Sequence, residues 1–296
     1  MRHEDLRKDS PFDWIKPMRT IAIGVMALFL SLCLHAEGLR LSIFAQHVEE
    51  IARQEKLTLA EAADKVKALG YDGVDITTEM SDETVMVFRQ AGFEIPCVIG
   101  WPKFEQSCNA TYCAETLAKA KFADAKLVML VPGFYTNEVD RAAQFDTIVS
   151  RTRAFAEDAA KLGFSTAIED FDDRKSPTCG RDQVAKFLTG APMVGLVFDT
   201  GNFPFVGEDS RKAEKQFADR IVGFHLKDRP SAGSRASVSV GSGCVPMTEI
   251  IAAARAKGFD GWYTVEHFGA TNMLEQATAS AKYLKGLDVK SVLGLR

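Results

Sequence analysis

From Leu39 onward the chain alternates short apolar runs with amphipathic stretches eight times without a break. The runs cover residues 39–44, 73–77, 93–100, 126–131, 165–171, 194–202, 221–224 and 262–268. Their length and their wealth of Val, Ile and Phe suit strands covered on both faces, as parallel strands are. The stretches between them carry helix signals. Residues 58–69 place Ala60, Ala63, Val66 and Leu69 on one side, and Gly70 ends that stretch. Ser81 caps a helix that runs through Gln90 and is closed by Gly92, and Gly258 closes another over 247–257. Further helices are predicted over 114–122, 140–162, 181–188, 210–217 and 274–286.

Eight strand-helix units in about 250 residues is the size of a (β/α)8 barrel. A doubly wound sheet would need a glycine-rich phosphate turn after its first strand, and Phe44-Ala-Gln-His47 is not one. The reading is therefore α/β, a (β/α)8 TIM barrel in a single domain spanning 37–296. Residues 1–36 precede it. Residues 1–17 are polar and mixed in charge, whereas residues 18–36 have the layout of a secretory signal: Arg19, an apolar run over 21–34, and a small residue, Ala36, at the cut. Met18 is a second candidate start. This predicts a periplasmic or secreted protein, with a cytoplasmic one as the alternative, and no stable membrane span once the signal is removed.

The ends of four strands carry the chemistry. Residues 165–171 contain Glu169-Asp170, residues 194–202 contain Asp199-Thr-Gly-Asn202, the seventh strand leads into His225-Leu-Lys-Asp228, and the eighth contains Glu266-His267. In a barrel of this type the C-terminal ends of the strands form one mouth, so residues far apart in sequence become neighbours there. Three carboxylates and one imidazole are the donors a divalent metal needs. Glu169, Asp199, His225 and Glu266 are the predicted ligands. Lys227, two residues beyond His225, shares its face if the strand continues and would polarise a substrate oxygen; Leu226 and Asp228 would face away. Asn202 and His267 are weaker candidates for touching substrate. Trp101, Phe104, Phe134 and Tyr135 follow strands three and four and could stack on a sugar face.

Composition narrows the partners. The formal net charge is −4 over 296 residues, and Lys and Arg form no basic run, so nothing points to a phosphate-tracking surface, and no nucleic-acid partner is expected. Six cysteines without C-x-x-C spacing exclude a zinc ribbon or a thioredoxin-type motif.

Leu69-Gly-Tyr-Asp-Gly-Val-Asp75, Ile168-Glu169, Phe198-Asp-Thr-Gly-Asn202, Phe224-His-Leu-Lys-Asp228, Val265-Glu266 and the turn Gly241-Ser-Gly243 together resemble the sugar phosphate isomerase/epimerase family. These are the xylose-isomerase-like TIM barrels that include ketose 3-epimerases, and the likeness runs over about residues 39–286. The resemblance implies one divalent ion, Mn²⁺ or Co²⁺ first and Mg²⁺ or Zn²⁺ next, bound by Glu169, Asp199, His225 and Glu266, with the two glutamates doubling as acid and base. It implies proton abstraction next to a carbonyl through a metal-stabilised enediolate. Where many relatives have histidine, this chain has Asn202. Gly241 and Gly243 could cradle a phosphate or simply close the barrel; export favours an unphosphorylated ketose or keto-sugar. Three rivals use the same fold: a keto-glycoside lyase or hydrolase, an apurinic-site endonuclease and a non-catalytic sugar-binding protein. The endonuclease needs about three zinc ions and more histidines than His47, His225 and His267 supply. A homo-oligomer is a further expectation for a barrel with exposed helices.

Overall fold

All eight apolar runs form parallel strands: β1 (Arg40–Phe44), β2 (Gly73–Thr77), β3 (Cys97–Gly100), β4 (Leu127–Leu130), β5 (Ser165–Glu169), β6 (Gly195–Asp199), β7 (Ile221–Leu226) and β8 (Trp262–Val265). They pair in chain order, and β1 returns to β8 with Leu41 opposite Tyr263, which closes the barrel. The structure, a computed structural model, describes residues 38–287 apart from Cys108 and Glu138. The expected export signal lies outside the described residues. Among those described, no helix is long and apolar enough to cross a membrane.

Alternate side chains of each strand face opposite ways, and the two directions bury different things. Outward residues such as Ile43, Val74, Val98, Leu130, Ile168 and Phe224 pack under the helices in one continuous apolar layer. Inward residues divide by arc. On β3 to β6, below the strand ends, they include the apolar Cys97, Ile99, Met129, Ala167 and Val197, which cluster with Phe44 from β1. On β1, β2 and β8 they include Ser42, Asp75 and Thr264, all buried. Ser42 Oγ donates to Asp75 Oδ1 at 3.0 Å and Thr264 Oγ1 donates to Asp75 Oδ2 at 2.9 Å. A buried carboxylate is tolerated only with such partners.

The helix signals are realised closely. Ser81 Oγ accepts from Thr84 N at 3.1 Å, and Thr58 forms a reciprocal capping box with Glu61. Gly70, Gly92 and Gly258 adopt φ of 90°, 82° and 86°, the left-handed turn that ends a helix at little cost only for glycine. One element is added and one local reading is corrected. A helix over Ala45–Glu55 follows β1 directly and buries His47, Val48 and Ile51; it begins at Phe44 with no side-chain cap, so nothing in the sequence announces its start. β6 ends at Asp199, and Asn202 opens a four-residue helix, Asn202–Phe205, instead of finishing the strand.

Candidate metal centre and substrate cavity

Strand register brings the ligands together. Glu169 lies opposite Val197, Asp199 opposite His225, and His225 opposite Thr264. Asp199 is two residues beyond Val197, and Glu266 two beyond Thr264. Each step of two keeps the side chain pointing inward, while the stagger of the barrel keeps the ends level. As a result Glu169, Asp199, His225 and Glu266 are all buried, and each offers a ligand atom within 4.8 Å of the others. His225 Nδ1 lies 2.5 Å from Glu169 Oε1 and 3.9 Å from Glu266 Oε2. His225 Nε2 has no hydrogen-bond partner; Asp75 Oδ2 stands 3.6 Å from it. This donor set fits a divalent cation. Three carboxylates crowded into a buried space repel one another, and a cation of charge two relieves that repulsion.

Lys227 is the protein's own cation at this site. It continues the inward face of β7, and its Nζ lies 2.6 Å from Glu266 Oε1, 3.0 Å from Asp199 Oδ2 and 3.0 Å from Asn202 Oδ1. Burial opposes its charge, but Asp199 and Glu266 outweigh burial and hold the ammonium above its usual range. Burial pushes the Glu266 carboxyl up to about 8, with Lys227 pulling it down and Asp199 and Glu169 adding to the rise. For His225, burial disfavours the charged ring, yet Glu169, Asp75 and Glu266 together raise its pKa well above the usual value.

Above this floor lies a cavity of about 360 Å³ at the C-terminal mouth of the barrel, walled by Trp101, Phe171 and Phe268, with Glu169, Glu266 and Lys227 reaching into it. Trp101 and Phe268 are 38 % and 51 % exposed. A larger cavity, about 480 Å³, enters from the opposite end and reaches Asp75 and His225 from below. At its rim Arg40 pairs with Glu94 and Lys126 with Asp124, Arg89 donates to Phe122 O, and neither Glu169 nor Glu266 lines it. The mouth is therefore the candidate site.

Not every expected residue faces the cavity. Asn202 is buried and structural: its Nδ2 donates to Asp170 O at 2.6 Å, and its Oδ1 accepts from Lys227 Nζ and from Arg229 Nη2 at 3.2 Å. His267 is fully buried and faces away, with Nε2 2.8 Å from Ser280 Oγ and Nδ1 3.3 Å from Ser237 Oγ. Period-two alternation sends residue 267 outward when 266 points in. Phe104 and Tyr135 are buried, and Phe134 packs on Phe171, so of the four aromatics only Trp101 lines the cavity.

The Gly241-Ser-Gly243 turn is also occupied. Asp228 Oδ2 accepts from Gly241 N and Gly243 N, both at 2.9 Å, and Oδ1 accepts from Arg229 N at 2.9 Å and Val245 N at 3.1 Å. A Cβ at Gly243 would stand 2.2 Å from Asp228 Oδ1, so glycine is needed for that approach. The turn thus binds the chain's own carboxylate. Sequence reasoning also passed over Asp75, Asp172 and Arg229. Arg229 is fully buried; it donates to Asp172 Oδ2 at 2.6 Å, Gly201 O at 2.6 Å and Ser234 O at 2.7 Å, tying three mouth loops together.

Three solved structures share this architecture. D-psicose 3-epimerase with D-tagatose, from Clostridium cellulolyticum H10, is 17% identical with a TM-score of 0.66, and the alignment covers 84% of this chain and 99% of that one. A sugar phosphate isomerase/epimerase from Parabacteroides distasonis ATCC 8503 is 14% identical with a TM-score of 0.68, over 86% and 96%. The IOLI protein with a bound zinc atom is 18% identical with a TM-score of 0.65, over 86% and 99%. At such identities the likeness is one of fold. No curated protein matches the sequence. The profile of the xylose isomerase-like TIM barrel family matches residues 63–287, a span that takes in β2 to β8 and all four strand-end ligands. The chain belongs to the xylose isomerase-like TIM barrel family.

Proposed function

We propose that this protein is a metal-dependent sugar isomerase or epimerase that moves a proton next to a carbonyl, with an unphosphorylated ketose or keto-sugar as substrate. The observation that carries this reading is the convergence of Glu169 and Glu266 with Asp199 and His225, ligand atoms within 4.8 Å, beneath a cavity walled by Trp101 and Phe268. When bound, a divalent cation, Mn²⁺ or Co²⁺ with Mg²⁺ or Zn²⁺ as alternatives, supplies Lewis-acid stabilisation of the charge that develops on the substrate's carbonyl oxygen.

The chain's residues do the rest. Glu169 arrives from β5 and Glu266 from the end of β8, so the two carboxylates reach the cavity from different sides of the barrel. One takes the proton and the other returns one. Return to the same carbon from the opposite face inverts it, whereas return to the adjacent carbon isomerises the sugar. Lys227 holds Glu266 in position and keeps a positive charge at the cavity floor, where a developing oxyanion needs it. Trp101 and Phe268 offer apolar faces to a sugar ring. The glycine turn's amides are committed to Asp228, which favours an unphosphorylated substrate. Export through residues 18–36 would place the protein among free sugars and is part of the same proposal.

The test is deuterium incorporation from D2O, followed by NMR, over a panel of ketoses and 3-keto-glycosides with Mn²⁺ or Co²⁺. The expected result is solvent deuterium next to the carbonyl, reduced by about 10² to 10⁴ in Glu169→Gln and in Glu266→Gln. Absence of exchange across the panel despite tight metal binding would sink the reading. Loss of a leaving group in the product would assign a lyase instead.

A further inference from the structure

The charges around the cavity pair off with one exception. Lys227 is held by Asp199 and Glu266, and Arg229 by Asp172. Arg235 also lines the cavity from an exposed loop position; its charge helps to lower the Asp172 carboxyl, yet among the described residues it forms no ion pair. It is not adrift. Its Cζ sits 4.8 Å over the Phe205 ring, which also carries the Arg229 guanidinium at 5.3 Å.

The loop that presents it is pinned at both ends. Ser234 O accepts from Arg229, Val238 N donates to Asp228 O at 3.0 Å, and Asp228 and Val238 form an antiparallel bridge. A planar fork of donors thus stands at the cavity wall, open to solvent and without a protein carboxylate of its own among the described residues, above the divalent centre proposed for the floor. Guanidinium groups recognise oxyanions through paired N–H donors. A phosphate normally gathers backbone amides as well, and the nearby glycine-turn amides are spent on Asp228. A carboxylate asks for no more than the single fork.

We infer that the substrate is a keto-sugar acid, whose carboxylate, remote from the reacting carbonyl, is received by Arg235. This assignment rests on the proposed isomerase or epimerase reading and names its substrate class.

The experiment uses the full chain loaded with Mn²⁺ and three matched probes: D-fructose, D-fructuronate, which carries a carboxylate at the same terminal carbon, and D-fructose 6-phosphate. Binding is measured by calorimetry for the wild type, Arg235→Gln and Arg235→Lys, and solvent deuterium exchange is followed in parallel. The acid is expected to bind at least about tenfold tighter than the neutral ketose, a preference that collapses in Arg235→Gln, partly returns in Arg235→Lys and weakens with salt. Equal binding of acid and neutral sugar, an acid preference that survives in Arg235→Gln, or no binding of any probe would overturn the inference. A preference for the phosphate, lost in Arg235→Gln, would overturn the carboxylate assignment. Exchange on neutral ketoses without anion preference would sink the role of Arg235 and spare the enediolate reading. Arg235-dependent binding of the acid without exchange on any sugar would do the reverse.

Discussion

His225 Nε2 faces Asp75 Oδ2 across 3.6 Å, while the same ring's Nδ1 lies 2.5 Å from Glu169 Oε1. Asp75 is itself pinned by Ser42 and Thr264, so a fixed carboxylate stands beneath the imidazole. A carboxylate behind a ligating histidine fixes the tautomer and raises the basicity of the ligating nitrogen. Asp75→Asn is therefore expected to weaken metal binding by about 10- to 100-fold with the four ligands untouched. Competition against a fluorescent chelator would read this, and an unchanged affinity would remove Asp75 from the site.

Stripping the metal should cost stability, because Glu169, Asp199 and Glu266 then face one another in a buried space. Restoring Mn²⁺ at about 100 times its Kd is expected to add about 2.7 kcal/mol to the unfolding free energy. Urea unfolding with and without chelator measures it; identical midpoints would mean that no ion binds the folded chain.

Asp228 satisfies four backbone N–H groups, those of Arg229, Gly241, Gly243 and Val245. Asp228→Ala leaves the buried N–H groups of Arg229 and Val245 without an acceptor and is expected to destabilise the barrel by about 2 kcal/mol or more, since each buried unsatisfied donor costs about 1–3 kcal/mol. Asp228→Asn, which keeps one acceptor oxygen, should cost less. Denaturant midpoints of the two variants decide it.

His47 is buried, accepts from His267 N at its Nε2 (2.7 Å), and is lowered to about 3, chiefly by burial and then by His267. Its folded pKa lies below its unfolded value, so the stability it contributes is complete above about pH 6.5 and is lost as pH falls from there towards 3, at about 1.4 kcal/mol per pH unit. His47→Gln retains an acceptor without a titrating ring. Its unfolding free energy should fall less steeply than the wild type's between pH 6.5 and 4.5, and parallel slopes would contradict the assignment.

Much of this protein is legible along the chain. Apolar runs of strand length separated by capped, amphipathic stretches specify a β-α repeat because both patterns are local, and the count of eight selects a closed barrel. The four candidate ligands are legible for a related reason. A polar residue that ends an otherwise apolar strand has one place to go in such a barrel, the mouth, and four in succession meet there.

What the tertiary structure decided are relationships between loops and between strands distant in sequence. Asp75 looks like one more strand residue until closure sets it beneath His225. Asp228 fills the glycine turn because the loop after β7 folds back upon it, and Asn202 turns into a short helix where a strand end was expected. Arg229 and Arg235 are six residues apart on one loop; the first is buried in an ion pair with Asp172, and the second stands exposed at the cavity wall. Local pattern dictates secondary structure through backbone and burial preferences. Which polar groups find partners depends on register, stagger and loop path, and those exist only in the closed barrel.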